Sequence, residues 1–380
     1  MKILLSGVDT NNKGAELMLY AILQEVERKF PKATVFIPHD KIKQGISYIS
    51  TNLDFREIPY RKFETKYHLS ALYWLFHIPY RLMPHIKAIG KIDYYIDGSG
   101  FRFSDQFDLT ENHVRLLNLQ LGAYREKGAR IIYLPQAFGP FEKPNTKNVM
   151  KVINKHVSLL MPREKVSYQY IVESGLIDKS RVKMFTDFTS LVDGVFPKRF
   201  DYLRNGVCII PNLQMINKGA ISMDEYQAML RTIMSLCVKS GRKVYLLNHE
   251  GIKDEKLCLD LKMELSDQID VVTGLNALEV KGLIASSYLV ISSRFHGVAS
   301  ALNSCVPCLA TSWSHKYKEL FNDYTMTDCI LPLDNTEKSL GMIYEFLNEE
   351  KNQRVRNILL QRLPAIKNET RCMWESVWSC

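Results

Sequence analysis

The chain has 380 residues, 46% hydrophobic and 24% charged, which suits two domains with ordinary cores and excludes a disordered or collagen-like chain. A formal charge of +9 and a pI near 9.0 point to anionic partners, and the lack of a zinc-finger or RNP-type pattern sets nucleic acid aside. No uncharged apolar run reaches membrane-spanning length, and Met1–Gly7 is interrupted too soon for a signal peptide, so a cytoplasmic location is expected.

Apolar runs then alternate with helical stripes. Ile3–Ser6 reads as a strand and Ala15–Phe30 as a helix. Thr34–Ile37 and Ile92–Ile96 read as strands, Asn112–Lys127 as a helix, and Arg130–Leu134, Ser158–Met161 and Val182–Phe185 as strands. Periodicity lapses at Phe196–Asp201, where Pro197 and charges intrude. The expected division is therefore a first domain at 1–197, a second at 198–350, and a helical segment at 351–380 that packs back on the first. In the second half, Val207–Ile210, Val244–Leu247, Val271–Val272, Tyr288–Ile291 and Cys308–Thr311 read as strands. Met223–Lys239, Glu255–Leu265, Ala277–Ala285 and Val298–Asn303 read as helices, followed by helical sequence from Ser339 to Trp378 with a break near Pro364. This rhythm predicts an α/β protein of two Rossmann-like domains facing a cleft.

In such sheets, ligands bind beyond the carboxyl ends of the strands, so polar residues there are the site candidates. Asp9–Gly14, with Asn12 and Lys13, follows the first strand and opens the first helix; it is either an anion cradle or a helix cap with a turn glycine. It lacks the G-x-G-x-x-G spacing, which disfavours a dinucleotide. Asp97-Gly98-Ser99-Gly100 lets backbone approach closely; Asp97 is an acid/base candidate or simply part of a tight turn. Arg163 and Asp187 stand at later corners, Arg163 as a ligand cation or an ordinary salt-bridge partner and Asp187 as a helix cap. His249 and Glu250 follow Val244–Leu247, as proton-transfer groups or ordinary loop residues. Ser292-Ser293-Arg294-Phe295-His296-Gly297 joins a strand to a helix; its arginine suits a carboxylate or phosphate, and its histidine suits proton transfer. Arg163 and Arg294 together would grip a small dianion.

Other stretches carry less. All eight cysteines lie at Cys208 or beyond, which excludes a disulfide scaffold. Cys305-Val306-Pro307-Cys308 has no second ligand pair at zinc spacing and reads as two buried thiols; no metal site is expected. Residues 66–87 are aromatic-rich and basic without one acidic residue. They suit an interfacial helix on an anionic membrane, or an ordinary packing helix with a snorkelling rim.

Taken in order, these motifs resemble the polysaccharide pyruvyl transferases over about residues 1–325. The resemblance rests on the loop at Asn12 and Gly14, Asp97–Gly100, Leu134-Pro135-Gln136-Ala137-Phe138-Gly139-Pro140, Arg163 with Ser167, Asp187, the His249 loop, and Ser293–Gly297. It implies a glycosyltransferase-B-like fold, phosphoenolpyruvate as donor co-substrate without a bound cofactor, and transfer of its pyruvyl group to a sugar diol as a ketal. It further implies cell-surface or capsular polysaccharide biosynthesis; a lipid-linked acceptor would suit the peripheral membrane contact read from 66–87. Arg294 and His296 match the donor-binding pair, with Phe295 between them, and Arg163 matches a second donor arginine. His296 is the catalytic candidate; the base is open among Asp97, Asp187 and Glu250. Asp97 stands where glycine is common, and Ala15-Glu16 departs from the usual acidic arrangement, which leaves the acceptor undefined. The alternatives are a sugar-nucleotide-dependent glycosyltransferase of the same fold and a non-catalytic polysaccharide-assembly protein.

Overall fold

The computed structural model describes residues 1–263, 268–312, 314 and 316–380. The chain forms two compact units: residues 1–11, 18–188 and 370–380 make the first, and residues 12–17 and 189–369 the second.

The first unit carries β1 (Lys2–Ser6), β2 (Thr34–Ile37), β3 (Asp54–Glu57), β4 (Tyr94–Asp97), β5 (Phe101–Phe103), β6 (Arg130–Phe138) and β7 (Leu159–Pro162). Their order is β3-β2-β1-β4-β6-β5, with β7 also on β6, and every pair is parallel. The order reverses between β1 and β4, so the loops after Ser6 and Asp97 leave side by side at a switch point. Gly7 has φ 73°, and a Cβ there would stand 2.6 Å from the Ser99 nitrogen; glycine is what lets the two loops touch.

The second unit carries β8 (Val207–Ile210), β9 (Val244–Leu247), β10 (Ile269–Val272), β11 (Leu289–Ser292) and β12 (Cys308–Ala310), in the all-parallel order β10-β9-β8-β11-β12. This is the doubly wound 3-2-1-4-5 order, reversing between β8 and β11. Ile210 pairs with Ser292, so Asn212 and Arg294 leave the sheet at the same rim. Strands β8, β9 and β11 are buried at every residue, as parallel strands covered on both faces must be.

Several sequence expectations need correction. Val182–Phe185 is not a strand: it runs along β7 through Lys183 N–H to Leu160 O (3.1 Å) and Phe185 N–H to Pro162 O (3.2 Å), with one bridge at Val182. It is an edge segment whose Lys183 and Met184 are exposed. Strand β6 continues past Leu134 to Phe138, because Pro135 sits where the register on β7 shifts. The helical tail does not break at Pro364. It breaks at Asn348, whose extended backbone ends Thr336–Leu347 and whose Oδ1 accepts the Lys351 N–H (3.2 Å) to start Glu349–Ser379. Leu359, Ile366, Met373 and Trp374 are buried along that last helix and hold it through the proline. Residues 66–87 are not one helix: left-handed backbone at His68 (φ 50°) and His77 (φ 52°) divides them into short pieces. The helix expected to end at Leu265 begins at Gly251 and is seen to Lys262; Leu265 lies outside the described residues.

Residues 370–380 belong to the core of the first unit. Trp378 stacks on Trp374 (5.6 Å), meets Phe30 and Tyr94 edge-on, and donates its indole N–H to Glu25 (2.9 Å).

Candidate functional site

The corner after β11 is fixed by a buried polar network. Ser293 O accepts from Asn212 Nδ2 (2.7 Å) and from the Tyr317 hydroxyl (2.8 Å). Ser293 Oγ contacts Tyr226 OH (2.6 Å) and Thr311 Oγ1 (2.5 Å). Ser292 Oγ accepts the Arg294 N–H (3.0 Å), which turns the chain into the helix Phe295–Asn303. A Cβ on Gly297 would meet Ser292 Cβ at 3.4 Å and Ile210 Cδ1 at 3.0 Å, so that turn needs a glycine. Arg294 is thereby placed at the switch point by groups from several elements, which is how a scaffold holds a ligand-binding side chain in one pose.

Arg294 presents its fork to two carboxylates. Nε lies 3.1 Å from Asp254 Oδ2, Nη2 pairs with the same oxygen, and Nη1 pairs with Glu250 Oε2. Glu250 and Asp254 stand one turn apart at the start of the helix Gly251–Lys262, where the helix dipole favours negative charge. The two differ in burial: the side chain of Asp254 is 3% exposed and that of Glu250 is 32% exposed. Burial pushes the Asp254 carboxyl up to about 7, against the pull of the Leu213 N–H, and brings Arg294 down to about 10. Contact with the guanidinium acts in the opposite sense on the carboxyl and favours the charged pair. Arg294 is therefore cationic at neutral pH and is paired with these two side chains.

Around it, the second unit gathers His296, Asn12, Lys13 and His249. Asn12 Oδ1 caps the first helix through the N–H groups of Gly14 (2.8 Å) and Ala15 (3.4 Å), while its Nδ2 donates to Glu250 Oε1 (3.0 Å). The alternatives of helix cap and site residue thus meet in one side chain. Lys13 pairs with the buried Glu16 (2.6 Å), which also accepts the Ala277 N–H (3.2 Å). Gly14 lies against the His296 imidazole: a Cβ there would stand 2.7 Å from Cγ and 3.0 Å from Cε1. His249 is buried, and that burial, with Arg294, His296 and Lys13 nearby, holds it well below the usual histidine range. It is a neutral imidazole at pH 7, and its Nδ1 has no hydrogen-bond partner among the described residues. Phe295 is buried, packs edge-on to Tyr317 (5.9 Å) and faces the Lys316 ammonium (5.6 Å).

The remaining sequence candidates belong to the first unit. Asp97 is fully buried and organises its own turn: Oδ1 accepts from Ser99 N–H (3.0 Å) and Gln136 Nε2 (3.3 Å), and Oδ2 pairs with Arg102 (3.5 Å). Arg163 and Asp187 pair with each other at 3.9 Å, both 5% exposed, and Arg163 N–H bonds Gln136 O (3.0 Å). Next to Arg163, the buried Glu164 pairs with Ser167, whose Oγ also accepts the Phe138 N–H (2.7 Å). Sequence reading missed Asp254, although its spacing of four from Glu250 is the signal for a shared helix face. It also missed Asn212, Tyr226, Thr311 and Tyr317, which chain position does not connect. Among the described residues, no group of three histidine, cysteine, aspartate or glutamate side chains could hold a metal. No helix among them is long and apolar enough to cross a membrane.

A family model described as polysaccharide pyruvyl transferase matches residues 12–315. No curated protein matches the chain by sequence. The fold is similar to a putative UDP-N-acetylglucosamine 2-epimerase from Listeria monocytogenes (TM-score 0.65, 12% identity, 100% of this chain and 96% of that one). It is also similar to UDP-GlcNAc 2-epimerase from Neisseria meningitidis, solved with UDP-GlcNAc (TM-score 0.64, 11% identity, 100% of both chains). The glycotransferase of kitacinnamycin matches at TM-score 0.53 and 10% identity, over 98% of this chain and 97% of that one. At these identities the likeness establishes the fold alone, a glycosyltransferase-B-type pair of α/β units.

Proposed function

The chain belongs to the polysaccharide pyruvyl transferase family, and on that premise we propose that it moves the pyruvyl group of phosphoenolpyruvate onto a sugar diol. In this reaction the methylene carbon of the donor gains a proton and becomes a methyl group. The adjacent carbon forms two bonds to sugar oxygens and loses its bond to the phosphate oxygen. Of the two protons given up by the diol, one ends on the methyl group and the other on the released phosphate.

The observation that carries the reading is the Arg294 fork, already engaged with two carboxylates at the switch point of the second sheet. Phosphoenolpyruvate offers a carboxylate and a phosphate on one small frame, and a planar bidentate donor suits either. Arg294 holds the donor, in place of the half-exposed Glu250. His296, two residues on at the same rim, is the group that moves a proton to the methylene carbon or the departing phosphate. Lys13 and the neutral imidazole of His249 near it are the further hydrogen-bonding groups available to the leaving phosphate. Arg163, paired with Asp187 in the first unit, matches a second donor arginine by family resemblance alone. The acceptor is a sugar diol of a cell-surface polysaccharide, carried on a lipid, and the protein works peripherally at the inner face of the membrane.

The test is phosphate release from phosphoenolpyruvate with diol acceptors, comparing wild type with His296→Ala. Loss of turnover by about 10²-fold or more is the expected result for a general acid; unchanged release would refute the role of His296. Thermal stabilisation by UDP-N-acetylglucosamine and not by phosphoenolpyruvate would instead select a sugar-nucleotide enzyme.

A further inference from the structure

The first unit exposes an apolar surface that its own fold does not use. The helix Leu69–Leu75 buries none of its residues, and the turn after it is no better covered. Tyr67, Leu72, Trp74, Leu75, Phe76 and Ile78 are all exposed, Phe76 by 67%. A soluble surface rarely leaves so many large apolar side chains together without a partner. The charge in the same stretch has one sign. Between residues 58 and 92 the cations are Arg61, Lys62, Lys66, Arg81, Lys87 and Lys91, and the only carboxylate, Glu64, is buried against His85 (2.5 Å). Aromatic side chains interleaved with lysine and arginine are the composition of a surface that lies at the headgroup level of a bilayer.

A second observation adjoins it. A cavity of about 680 Å³ is lined by Arg81, Arg125, Lys155 and His156, with Tyr80 and Glu126 at its wall. Arg81 belongs to the same short turn as exposed Leu82, so this cavity opens beside the apolar surface. Arg81 reaches Glu126 at 3.6 Å, and both are more than half exposed, so the carboxylate does not neutralise the cavity. His156 is 6% exposed; its Nε2 donates to Asn118 Oδ1 (2.8 Å), which leaves Nδ1 an acceptor without a partner among the described residues. Three cations and one imidazole acceptor ask for a ligand with a phosphate and a hydroxyl.

We propose that residues 60–82 dock the protein on an anionic glycerophospholipid bilayer, with the adjoining cavity taking a phosphoglycerol headgroup. The aromatic side chains enter the interface, the lysines and arginines face the anionic leaflet, and Arg125 and Lys155 meet the headgroup phosphate. The proposal deepens the peripheral membrane contact read above and rests on that reading, while its test reads vesicle binding and not turnover.

The experiment is co-sedimentation of the full chain with vesicles of phosphatidylcholine alone or mixed with phosphatidylglycerol, at low and high salt. Wild type is expected to bind the mixed vesicles at low salt and to be released by salt. Trp74→Glu/Phe76→Glu should lower that binding about tenfold or more; the Arg115 guanidinium over the Trp74 ring (4.4 Å) is an exposed contact whose loss should lower the melting temperature only slightly. Arg125→Gln/Lys155→Gln should lower binding to the mixed vesicles and leave the weak binding to phosphatidylcholine unchanged. The proposal is overturned if wild type does not bind mixed vesicles at low salt, or if the Trp74/Phe76 variant binds as well as wild type. It is equally overturned if that variant only turns a dimer into a monomer, or if soluble glycerol phosphate stabilises the protein without any vesicle binding.

Discussion

Gly14→Ala separates the packing of His296 from every other property of the site. Gly14 is the second residue of the helix Lys13–Lys29, and propensity alone makes alanine better there by up to about 1 kcal/mol. Against that gain, the new Cβ would stand 2.7 Å from His296 Cγ and 3.0 Å from Cε1, well inside the ~3.5–4.0 Å of an ordinary carbon contact. Relief requires the imidazole to rotate or the two backbones to part, a cost of about 1–3 kcal/mol for overpacking. The balance is a net loss of about 0–2 kcal/mol in wild type. In a His296→Ala background the ring is gone and only the helix gain remains, so the same substitution becomes neutral or mildly stabilising. Melting curves of the four proteins measure the coupling directly, expected at about 1–3 kcal/mol. Phosphate release should fall in Gly14→Ala by about 10²-fold, because a displaced acid no longer reaches its proton acceptor. If Gly14→Ala costs the same stability with and without the His296 ring, or keeps full turnover, the contact does not position the imidazole and the argument fails.

Four further outcomes follow from the same geometry. Asp254→Asn keeps the side-chain shape but removes a buried counter-charge from Arg294; the Michaelis constant for phosphoenolpyruvate should rise about tenfold with a smaller change in kcat, matching the loss of one charged hydrogen bond. An unchanged constant would mean that Asp254 does not position the arginine. Glu250→Gln removes the exposed carboxylate that competes with the donor, and should tighten phosphoenolpyruvate binding about twofold to fivefold in calorimetry, the range of a half-exposed ion pair; weaker binding would contradict the exchange. His249 is held well below the usual histidine range, so the unfolded chain takes up its proton first as pH falls, and stability contributed above about 6.5 is lost below it; His249→Gln should flatten the melting-temperature profile between about pH 5 and 6.5. Arg163→Ala strands buried Asp187 and should cost about 2–4 kcal/mol, with partial recovery in Arg163→Ala/Asp187→Ala; equal stability of the two variants would show that the pair carries no net interaction.

Much of this fold is legible in the chain because parallel strands buried on both faces read as unbroken apolar runs. Val207–Ile210 and Val244–Leu247 coincide with strands residue for residue. Asp54–Glu57 was not legible, since three of its four side chains are exposed and leave no apolar run to read. Phe101–Phe103 is too short to show a period. Proline misled at Pro364, which lies within a helix held by buried Leu359 and Ile366 on either side; the strand from Arg130 likewise runs on through Pro135 to Phe138. The Arg294–His296 corner was visible as a strand followed by a polar turn and a helix. Its support was not, because Asn212, Tyr226, Thr311 and Tyr317 reach Ser293 from positions 18 to 81 residues away.

The two carboxylates on Arg294 have different meanings, and burial decides which is which. Asp254 is enclosed, is tied to the Leu213 N–H (3.2 Å), and would leave an uncompensated cation behind if it moved. Glu250 is held by Arg294 and Asn12, sits at a helix start beside Gly251 (φ 60°), and has solvent on one side. On the proposed reading, an anion arriving at Arg294 would displace Glu250 and keep Asp254. The released Glu250 also frees Asn12 Nδ2, a donor on the loop that carries Gly14 and thereby contacts His296. On the proposed reading, donor binding at the arginine would be linked to the loop that packs on the imidazole through Asn12, the side chain that caps the first helix.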